Sequence, residues 1–189
     1  MLCAGRSGQI LELSGLASDA GVSHTTARRW LSILEASFVV FLLRPYHRNF
    51  GKRIIKSPRL YFVDTGLLCY LLRIRNPEEL SFHASRGPVF ETWVVSEVLK
   101  LFHNHGQVPD VYFWQDSNGR EVDLLIDLPG TLVVVEAKSG QTVASDFLRD
   151  LTQWKATTGC LDARAVLVYG GDESYTRQDV SVISWKDWA

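Results

Sequence analysis

The chain is poor in cysteine, and its sequence contains no long apolar run. Its three cysteines, Cys3, Cys69 and Cys160, are scattered and odd in number, which argues against a disulfide scaffold and against a Cys-x-x-Cys zinc site. The apolar runs fall well short of the roughly 18–20 residues of a membrane-spanning helix, and no secretory signal is visible. These absences predict a cytoplasmic protein that makes no contact with a membrane.

Two motifs of well-known enzyme classes are also missing. The chain contains no G-x-x-x-x-G-K-[ST] phosphate loop, which predicts no nucleotide site in this chain. It contains no G-x-S-x-G nucleophile elbow either. What the chain does have is 189 residues with 46% hydrophobic composition, enough for two small domains or one composite domain.

The net charge is close to zero, but the charges are unevenly distributed. Residues 1–63 hold nine Lys and Arg against three Asp and Glu, whereas residues 64–189 hold eleven against eighteen. From Arg44 to Arg59 the chain has six cations and no acid. Such a run predicts contact with nucleic acid because basic side chains neutralise phosphates, and a solvated loop is the alternative.

A short helix, a glycine turn and a longer helix are predicted in the first part of the chain. Residues 13–20 form the short helix, Gly21 opens the turn, and Ser23 caps a helix over residues 24–35. The apolar stripe of the longer helix consists of Ala27, Trp30, Leu31 and Leu34. The pattern is typical of a helix-turn-helix, whose second helix reads the major groove of DNA with its first residues.

Two predicted strands, residues 38–43 and 59–63, flank the basic run. Because residues 38–43 are all apolar, this strand is buried on both faces or covered by a partner. Residues 1–72 therefore look like a winged helix with residues 44–58 as a long wing and a capped helix at residues 64–72. The predicted DNA contacts are Thr25, Thr26, Arg28, Arg29, Arg48, Lys52, Arg53 and Lys56. Winged helices also dock proteins, so duplex DNA and a protein partner both stay open.

The second part of the chain follows a predicted polar linker over residues 73–86. Residues 121–127 alternate polar and apolar side chains and predict a strand, and a second strand ends at Lys138. Glu136 and Lys138 share a face, and Asp123 falls beside Glu136 if the two strands form a hairpin. Two carboxylates suit Mg²⁺, and a lysine can orient a water or neutralise charge on a phosphate. Strand ends that simply reach solvent are the alternative.

Another carboxylate falls on the apolar side of a predicted helix. Residues 87–102 have helical periodicity, and Glu91 lies within the apolar arc. A solvated glutamate in the first turn, favoured by the helix dipole, is the alternative. Strands at residues 111–114, 163–169 and 180–185 and a helix at residues 143–157 complete the prediction, with Gly159 as the helix end. The resulting αβββαβ order predicts a mixed sheet with a crossover helix.

This order, together with Asp123, Glu136, Lys138 and Glu91, resembles the core of the PD-(D/E)XK nuclease superfamily over roughly residues 87–170. The resemblance implies a restriction-endonuclease-like domain over residues 87–189, in an α+β or α/β chain. It implies Glu91, Asp123 and Glu136 as metal ligands, Lys138 as a catalytic residue that assists attack on a phosphodiester, and Mg²⁺ as the cofactor. Some members also carry Gln and Tyr four residues apart on the following helix, a pattern that Gln153 matches only in part.

A closer resemblance covers nearly the whole chain. Residues 6–14, 26–31, 56–67 and 113–125, with Phe90-Glu91, resemble the uncharacterised domain that is usually attached C-terminal to a prokaryotic AAA-type P-loop ATPase. This resemblance implies an N-terminal ATPase module as a partner missing from the chain. The abrupt start at Met1 predicts a fragment or a split gene product.

Two functions follow as hypotheses. The first is a DNA-binding module with a Mg²⁺-dependent endodeoxyribonuclease site. The second is a non-catalytic regulatory or protein-interaction domain of an ATPase that retains only the nuclease fold. A role in phage defence or in a toxin–antitoxin pair is compatible with either hypothesis, and so is a homo-oligomer.

Overall fold

The structure, a computed structural model, describes residues 1–46, 56–117 and 119–188. Those residues form an α+β protein with six α-helices and eight β-strands. They divide into two compact units, Met1–Arg44 with Lys56–Ser96 and Pro45–Ile55 with Glu97–Ala189. None of the helices in the described residues combines the length and hydropathy that a bilayer span requires. Three predicted DNA contacts, Arg48, Lys52 and Arg53, lie outside the described residues.

The first unit is mainly helical. Its elements in chain order are a 3-10 turn (Ala4–Arg6), α1 (Leu13–Asp19), α2 (His24–Ala36), β1 (Val40–Pro45, whose last residue belongs to the second unit), β2 (Arg59–Phe62), α3 (Thr65–Leu71), α4 (Pro77–Phe82) and the start of α5 (Arg86–Asn104). Strands β1 and β2 are antiparallel, with Val40 opposite Phe62. The predicted helix pair is confirmed, and α4 lies within the residues predicted as a linker.

Three helices of this unit, α2, α3 and α4, begin at residues whose side chains accept backbone hydrogen bonds. Ser23 Oγ accepts from the backbone N–H of Thr26 at 3.1 Å, which confirms the predicted cap of α2. Asp64 caps α3 and Asn76 caps α4 in the same way. These caps satisfy N–H groups that have no partner within the helix, so they fix where each helix starts.

The buried side of α2 is narrower than the sequence pattern predicts. Ala27 and Leu31 are buried, but Trp30 is 52% exposed. Because successive residues advance about 100° around a helix, Trp30 is turned well away from Leu31. The predicted burial of Trp30 is therefore wrong. Phe38 precedes β1 with a φ of 55° and is 67% exposed, so the predicted burial on both faces is wrong at this residue, and cover by a partner stays a prediction.

The second unit is built on a mixed sheet. Its elements in chain order are β3 (Val111–Gln115), β4 (Glu121–Leu128), β5 (Thr131–Lys138), α6 (Ser145–Thr158), β6 (Arg164–Tyr169), β7 (Tyr175–Arg177), β8 (Val180–Ser184) and a 3-10 turn (Trp185–Asp187). The strands of this unit are ordered β3-β4-β5-β6-β8-β7. Strands β3 to β5 pair antiparallel, β5 with β6 and β6 with β8 parallel, and β7 antiparallel to β8. The predicted mixed sheet with a crossover helix is confirmed, and β7 is an addition.

Helix α6 packs against this sheet through an apolar face. Leu148, Leu151 and Trp154 are buried, and Phe147 packs against the same core. The helix ends at Gly159, whose φ of 74° lies in the left-handed region that glycine adopts without strain. Because β5 and β6 run parallel, their carboxyl ends lie at one edge of the sheet, and the charged residues at the end of β5 lie at that edge.

Candidate active site

The β4–β5 hairpin brings Asp123 next to Glu136. The strands pair from Leu128 opposite Thr131 to Leu124 opposite Val135, so Asp123 and Glu136 occupy the next positions. There the backbone N–H of Ala137 donates to Asp123 Oδ2 at 2.9 Å. The Asp123 carboxylate thus accepts a backbone hydrogen bond from β5 just beyond the last paired residues, Leu124 and Val135. The predicted hairpin is confirmed.

Lys138 lies on the same side of β5 as Glu136. Its Nζ donates to Glu136 Oε1 at 2.5 Å and lies 5.4 Å from the centre of the Phe147 ring on α6. Glu136 is 8% exposed, and the side chain of Lys138 is 33% exposed. The Lys138 ammonium therefore lies over the Phe147 ring of α6, contacts the buried Glu136 carboxylate and stays within reach of solvent.

The negative charges of this cluster oppose one another. Burial, followed by the Asp123 carboxylate, raises the pKa of Glu136 to about 8, and Lys138 offsets only part of that rise. Two neighbouring buried carboxylates with one ammonium nearby cannot both ionise without cost. A proton on Glu136 or an added cation would thus reduce the repulsion between the two carboxylates.

Glu136 and Lys138 line a pocket of about 310 Å³. Two of the residues that line this pocket are buried tryptophans, and the others are charged, polar or glycine. The lining residues are Trp114, Gly119, Arg120, Glu121, Glu136, Lys138, Asp150, Gln153, Trp154 and Thr157. The sequence contained a signal for the pocket residues on α6. Asp150, Gln153 and Thr157 recur at three- and four-residue spacing, so they must share a face of that helix.

A tight turn between β3 and β4 places Arg120 at this pocket. The backbone N–H of Arg120 donates to Asp116 Oδ1 at 3.0 Å, and the Asp116 N–H donates to the Arg120 carbonyl at 2.9 Å. The Arg120 side chain reaches α6, where Nη1 donates to Thr157 Oγ1 at 3.3 Å. Sequence reasoning missed Arg120 because the contact joins two segments far apart in the chain.

The segment after Lys138 is held by close backbone packing. The Gly170 N–H donates to the carbonyls of Lys138 at 3.1 Å and Gly140 at 3.0 Å. A Cβ at Gly170 would lie 2.5 Å from the Ser139 carbonyl oxygen, so only glycine fits there. This packing fixes the chain immediately beyond the candidate site.

Glu91, the other predicted metal ligand, belongs to the first unit. Its Oε1 accepts from Tyr61 Oη at 2.5 Å and from Arg59 Nη1 at 3.4 Å. Gly8 has a φ of 80°, and a Cβ there would lie 3.5 Å from Glu91 Oε2. Glu91 thus takes part in a buried ion pair with Arg59, and its role as a metal ligand stays a prediction.

The predicted metal ligands do not form a ready-made cage. Among residues 1–46, 56–117 and 119–188, no group of three or more His, Cys, Asp or Glu side chains is placed to hold a metal ion. Asp123 and Glu136 therefore offer a pair of carboxylates. Of the predicted DNA contacts, Thr25, Arg28, Arg29 and Lys56 are exposed, and the Thr26 hydroxyl bonds to Ser23 Oγ at 2.9 Å.

Comparison with known proteins gives two family matches and two longer relatives. A model described as domain of unknown function DUF8612 matches residues 1–78, and one described as domain of unknown function DUF4143, a domain associated with AAA-type ATPases, matches residues 86–188. Uncharacterized protein Rv2008c of Mycobacterium tuberculosis and uncharacterized protein Mb2031c of Mycobacterium bovis are each 31% identical over 175 residues, or 93% of this chain. The chain spans 38% of the length of each. Because the second model covers more than half of the chain, the chain belongs to the DUF4143 family.

Proposed function

We propose that the chain is a DNA-binding module with a metal-dependent nuclease site at the end of the β4–β5 hairpin. One observation carries the proposal: Asp123 and Glu136 are buried carboxylates at neighbouring positions of two paired strands, and Lys138 pairs with Glu136 beside an open polar pocket. A cluster that only stabilised the fold would balance its charges, whereas this one raises the pKa of Glu136 to about 8. Perturbed groups of this kind mark functional sites when they lie in a cleft.

The donor set fits Mg²⁺ better than a metal that needs a protein cage. Mg²⁺ keeps several waters and commonly uses one or two carboxylates together with the phosphates of its substrate. A pair of hard oxygen ligands is what Asp123 and Glu136 provide. Structural zinc, by contrast, takes four protein ligands, commonly cysteine and histidine.

Each residue of the cluster has a distinct role in this proposal. Asp123 and Glu136 would hold the cation, which supplies Lewis-acid stabilisation of charge on the phosphate. Lys138 lies next to Glu136 and can orient the attacking water and neutralise charge that develops on a phosphate oxygen. The hydrogen bond from Ala137 fixes the Asp123 carboxylate, so the ligand pair is preorganised.

The first unit would hold the DNA in this proposal. Thr25, Arg28 and Arg29 are exposed in the first turns of α2, which is where a winged helix contacts the major groove. The basic run of the sequence adds Arg48, Lys52, Arg53 and Lys56. Because such contacts release counterions from the phosphates, binding should weaken as salt is raised.

A plasmid assay tests the catalytic part. Supercoiled plasmid is incubated with the chain and Mg²⁺ or Mn²⁺, beside Lys138→Ala and a matched control, Lys100→Ala, whose ammonium pairs with Glu97 on the surface of α5. We expect nicking by the wild type and by Lys100→Ala, and a loss of about 100-fold or more in Lys138→Ala. Equal nicking in all three, or none in any, ends the catalytic proposal.

A second candidate function is a non-catalytic regulatory domain of an AAA-type ATPase. The exposed apolar side chains of the first unit favour it, because Trp30, Ile33 and Phe38 are each more than half exposed. The greater length of the two relatives leaves room for an ATPase module. In this case DNA is retained in EDTA, Lys138→Ala changes nothing, and replacement of Arg28 and Arg29 weakens retention.

A further inference from the structure

Arg120 is a second cation at the pocket that contains Glu136 and Lys138. Within the part of the chain that the structure describes, its guanidinium donates to the Thr157 hydroxyl and forms no ion pair. Lys138, by contrast, is paired with a carboxylate at 2.5 Å. Arg120 is therefore a pocket cation whose charge no carboxylate of those residues neutralises directly.

Arg120 is held in place from two directions. Its backbone is fixed by hydrogen bonds to Asp116, which is buried, and its side chain is fixed by Thr157 on α6. An ordinary exposed arginine loses much rotamer freedom when it binds a ligand. A guanidinium that is already held by its neighbours loses less, so this one is suited to binding.

The chemistry of the group narrows the ligand to a phosphate. A guanidinium has five N–H donors in a planar fork, which matches the geometry of phosphate oxygens, and the single contact with Thr157 leaves most of those donors for a ligand. A carboxylate ligand would fit the fork as well, but the proposed function brings a phosphodiester into the same pocket.

We propose that Arg120, positioned by Thr157, binds a backbone phosphate of the DNA strand that enters the pocket. The proposal rests on the proposed function. Besides Arg120 and Lys138, the pocket is lined by three carboxylates, those of Glu121, Glu136 and Asp150. These carboxylates repel an anion until a divalent cation is bound, so binding through Arg120 should require the cation.

Binding of a labelled duplex measures this contact without any cleavage. Fluorescence anisotropy is recorded with a fluorescein-labelled DNA duplex in Ca²⁺, which takes the same oxygen ligands, over a series of salt concentrations. Arg120→Ala should weaken binding roughly tenfold and lower the slope of log K against log salt by about one. Arg120→Lys should lie between the two, because lysine keeps the charge but not the fork. Thr157→Val should weaken binding less than Arg120→Ala, because it removes only the hydroxyl that holds the guanidinium.

The matched control is Arg164→Ala, which removes an exposed arginine at the start of β6. It should leave the affinity and the salt slope unchanged, and in EDTA the difference between wild type and Arg120→Ala should shrink. The proposal is overturned if Arg120→Ala and Arg164→Ala behave alike, or if the wild type does not bind the duplex in Ca²⁺. Plasmid nicking is read separately, so loss of the catalytic proposal leaves this binding result standing.

Discussion

Glu91 in the first unit and Glu136 in the second are largely buried carboxylates in opposite electrostatic surroundings. Glu91 receives a hydrogen bond from Tyr61 and the charge of a buried arginine, Arg59. Glu136 receives the charge of Lys138, but burial and then the neighbouring Asp123 carboxylate raise its pKa. Both carboxylates are paired with an opposite charge, and Glu136 in addition lies beside a like charge, that of Asp123.

The difference shows that a buried charge by itself says little about function. Ion pairs within a fold also bury carboxylates, and breaking such a pair is costly because it leaves an uncompensated charge. What distinguishes the Glu136 cluster is that its own residues leave an excess of negative charge, next to a pocket. The comparison predicts opposite responses when each carboxylate is neutralised.

The largest expected effect is that of Glu91→Gln. This substitution removes the negative charge that faces the buried Arg59 guanidinium. The free energy of unfolding should therefore fall by about 3–5 kcal/mol. Urea unfolding at neutral pH measures it. Glu97→Gln on the same helix is the control, since its partner Lys100 is 44% exposed and such pairs contribute about 0–1 kcal/mol. Equal losses in the two variants would contradict the distinction.

The second effect is the dependence of stability on pH. Neutralising Glu136 should stabilise the fold, whereas neutralising Glu91 should destabilise it. Glu136 has a raised pKa, about 8 against an ordinary value of 4.5, so between these values the folded protein keeps a proton that the unfolded chain has released. Without divalent cations, stability should therefore fall as pH rises through this range and level off above it, by roughly 1.4 kcal/mol for each unit of the shift.

Glu136→Gln isolates this contribution, because glutamine cannot titrate. Urea unfolding in EDTA, from about pH 5 to about pH 9 so as to bracket the shifted pKa, should give a flatter profile for the variant than for the wild type. The variant should also be the more stable of the two at the alkaline end. Parallel profiles would mean that Glu136 ionises without cost, and the comparison with Glu91 would then fail.

Much of the second unit could be predicted because its signals are local. The period-two pattern around Asp123 and the β-branched run before Glu136 predict two strands, and the hairpin that the sequence left as a condition is what the structure shows. Side-chain alternation then places Glu136 and Lys138 on one face. Helix ends at Ser23 and Gly159 were equally predictable, because capping depends on a few neighbouring residues.

What could not be predicted depends on residues far apart in the sequence. The contact of Arg120 with Thr157 needs the packing of α6 on the sheet, which no local pattern contains. The partners of Glu91 come from β2, so helical periodicity could show that Glu91 faces inward but not what it meets. Trp30 was misplaced because an apolar residue at the edge of a stripe is compatible with either side.

A divalent cation should compete with the proton for the Glu136 carboxylate. We expect Mg²⁺ to raise the melting temperature at about pH 8 and to do so far less at about pH 5.5, where a proton occupies the carboxylate. At a hundred times the dissociation constant the gain is about 2.7 kcal/mol. Asp123→Asn should lose the gain. A shift that is equal at both pH values, or that persists in Asp123→Asn, would place the cation elsewhere.

The smallest effect comes from paired tyrosine hydroxyls, one in each unit. Tyr61 donates to Glu91 at 2.5 Å, and Tyr46 donates to Asp127 at 3.0 Å. Tyr61→Phe should lower the free energy of unfolding by about 1.5–2 kcal/mol, because it removes a bond to a largely buried charge. Tyr46→Phe, measured under the same urea conditions, should lose about 0.5–1 kcal/mol, since Asp127 is only half-buried and water can replace the hydroxyl. If Tyr61→Phe cost no more than Tyr46→Phe, the Glu91 carboxylate would not depend on its surrounding donors, and the contrast with Glu136 would reduce to the like charge of Asp123 alone.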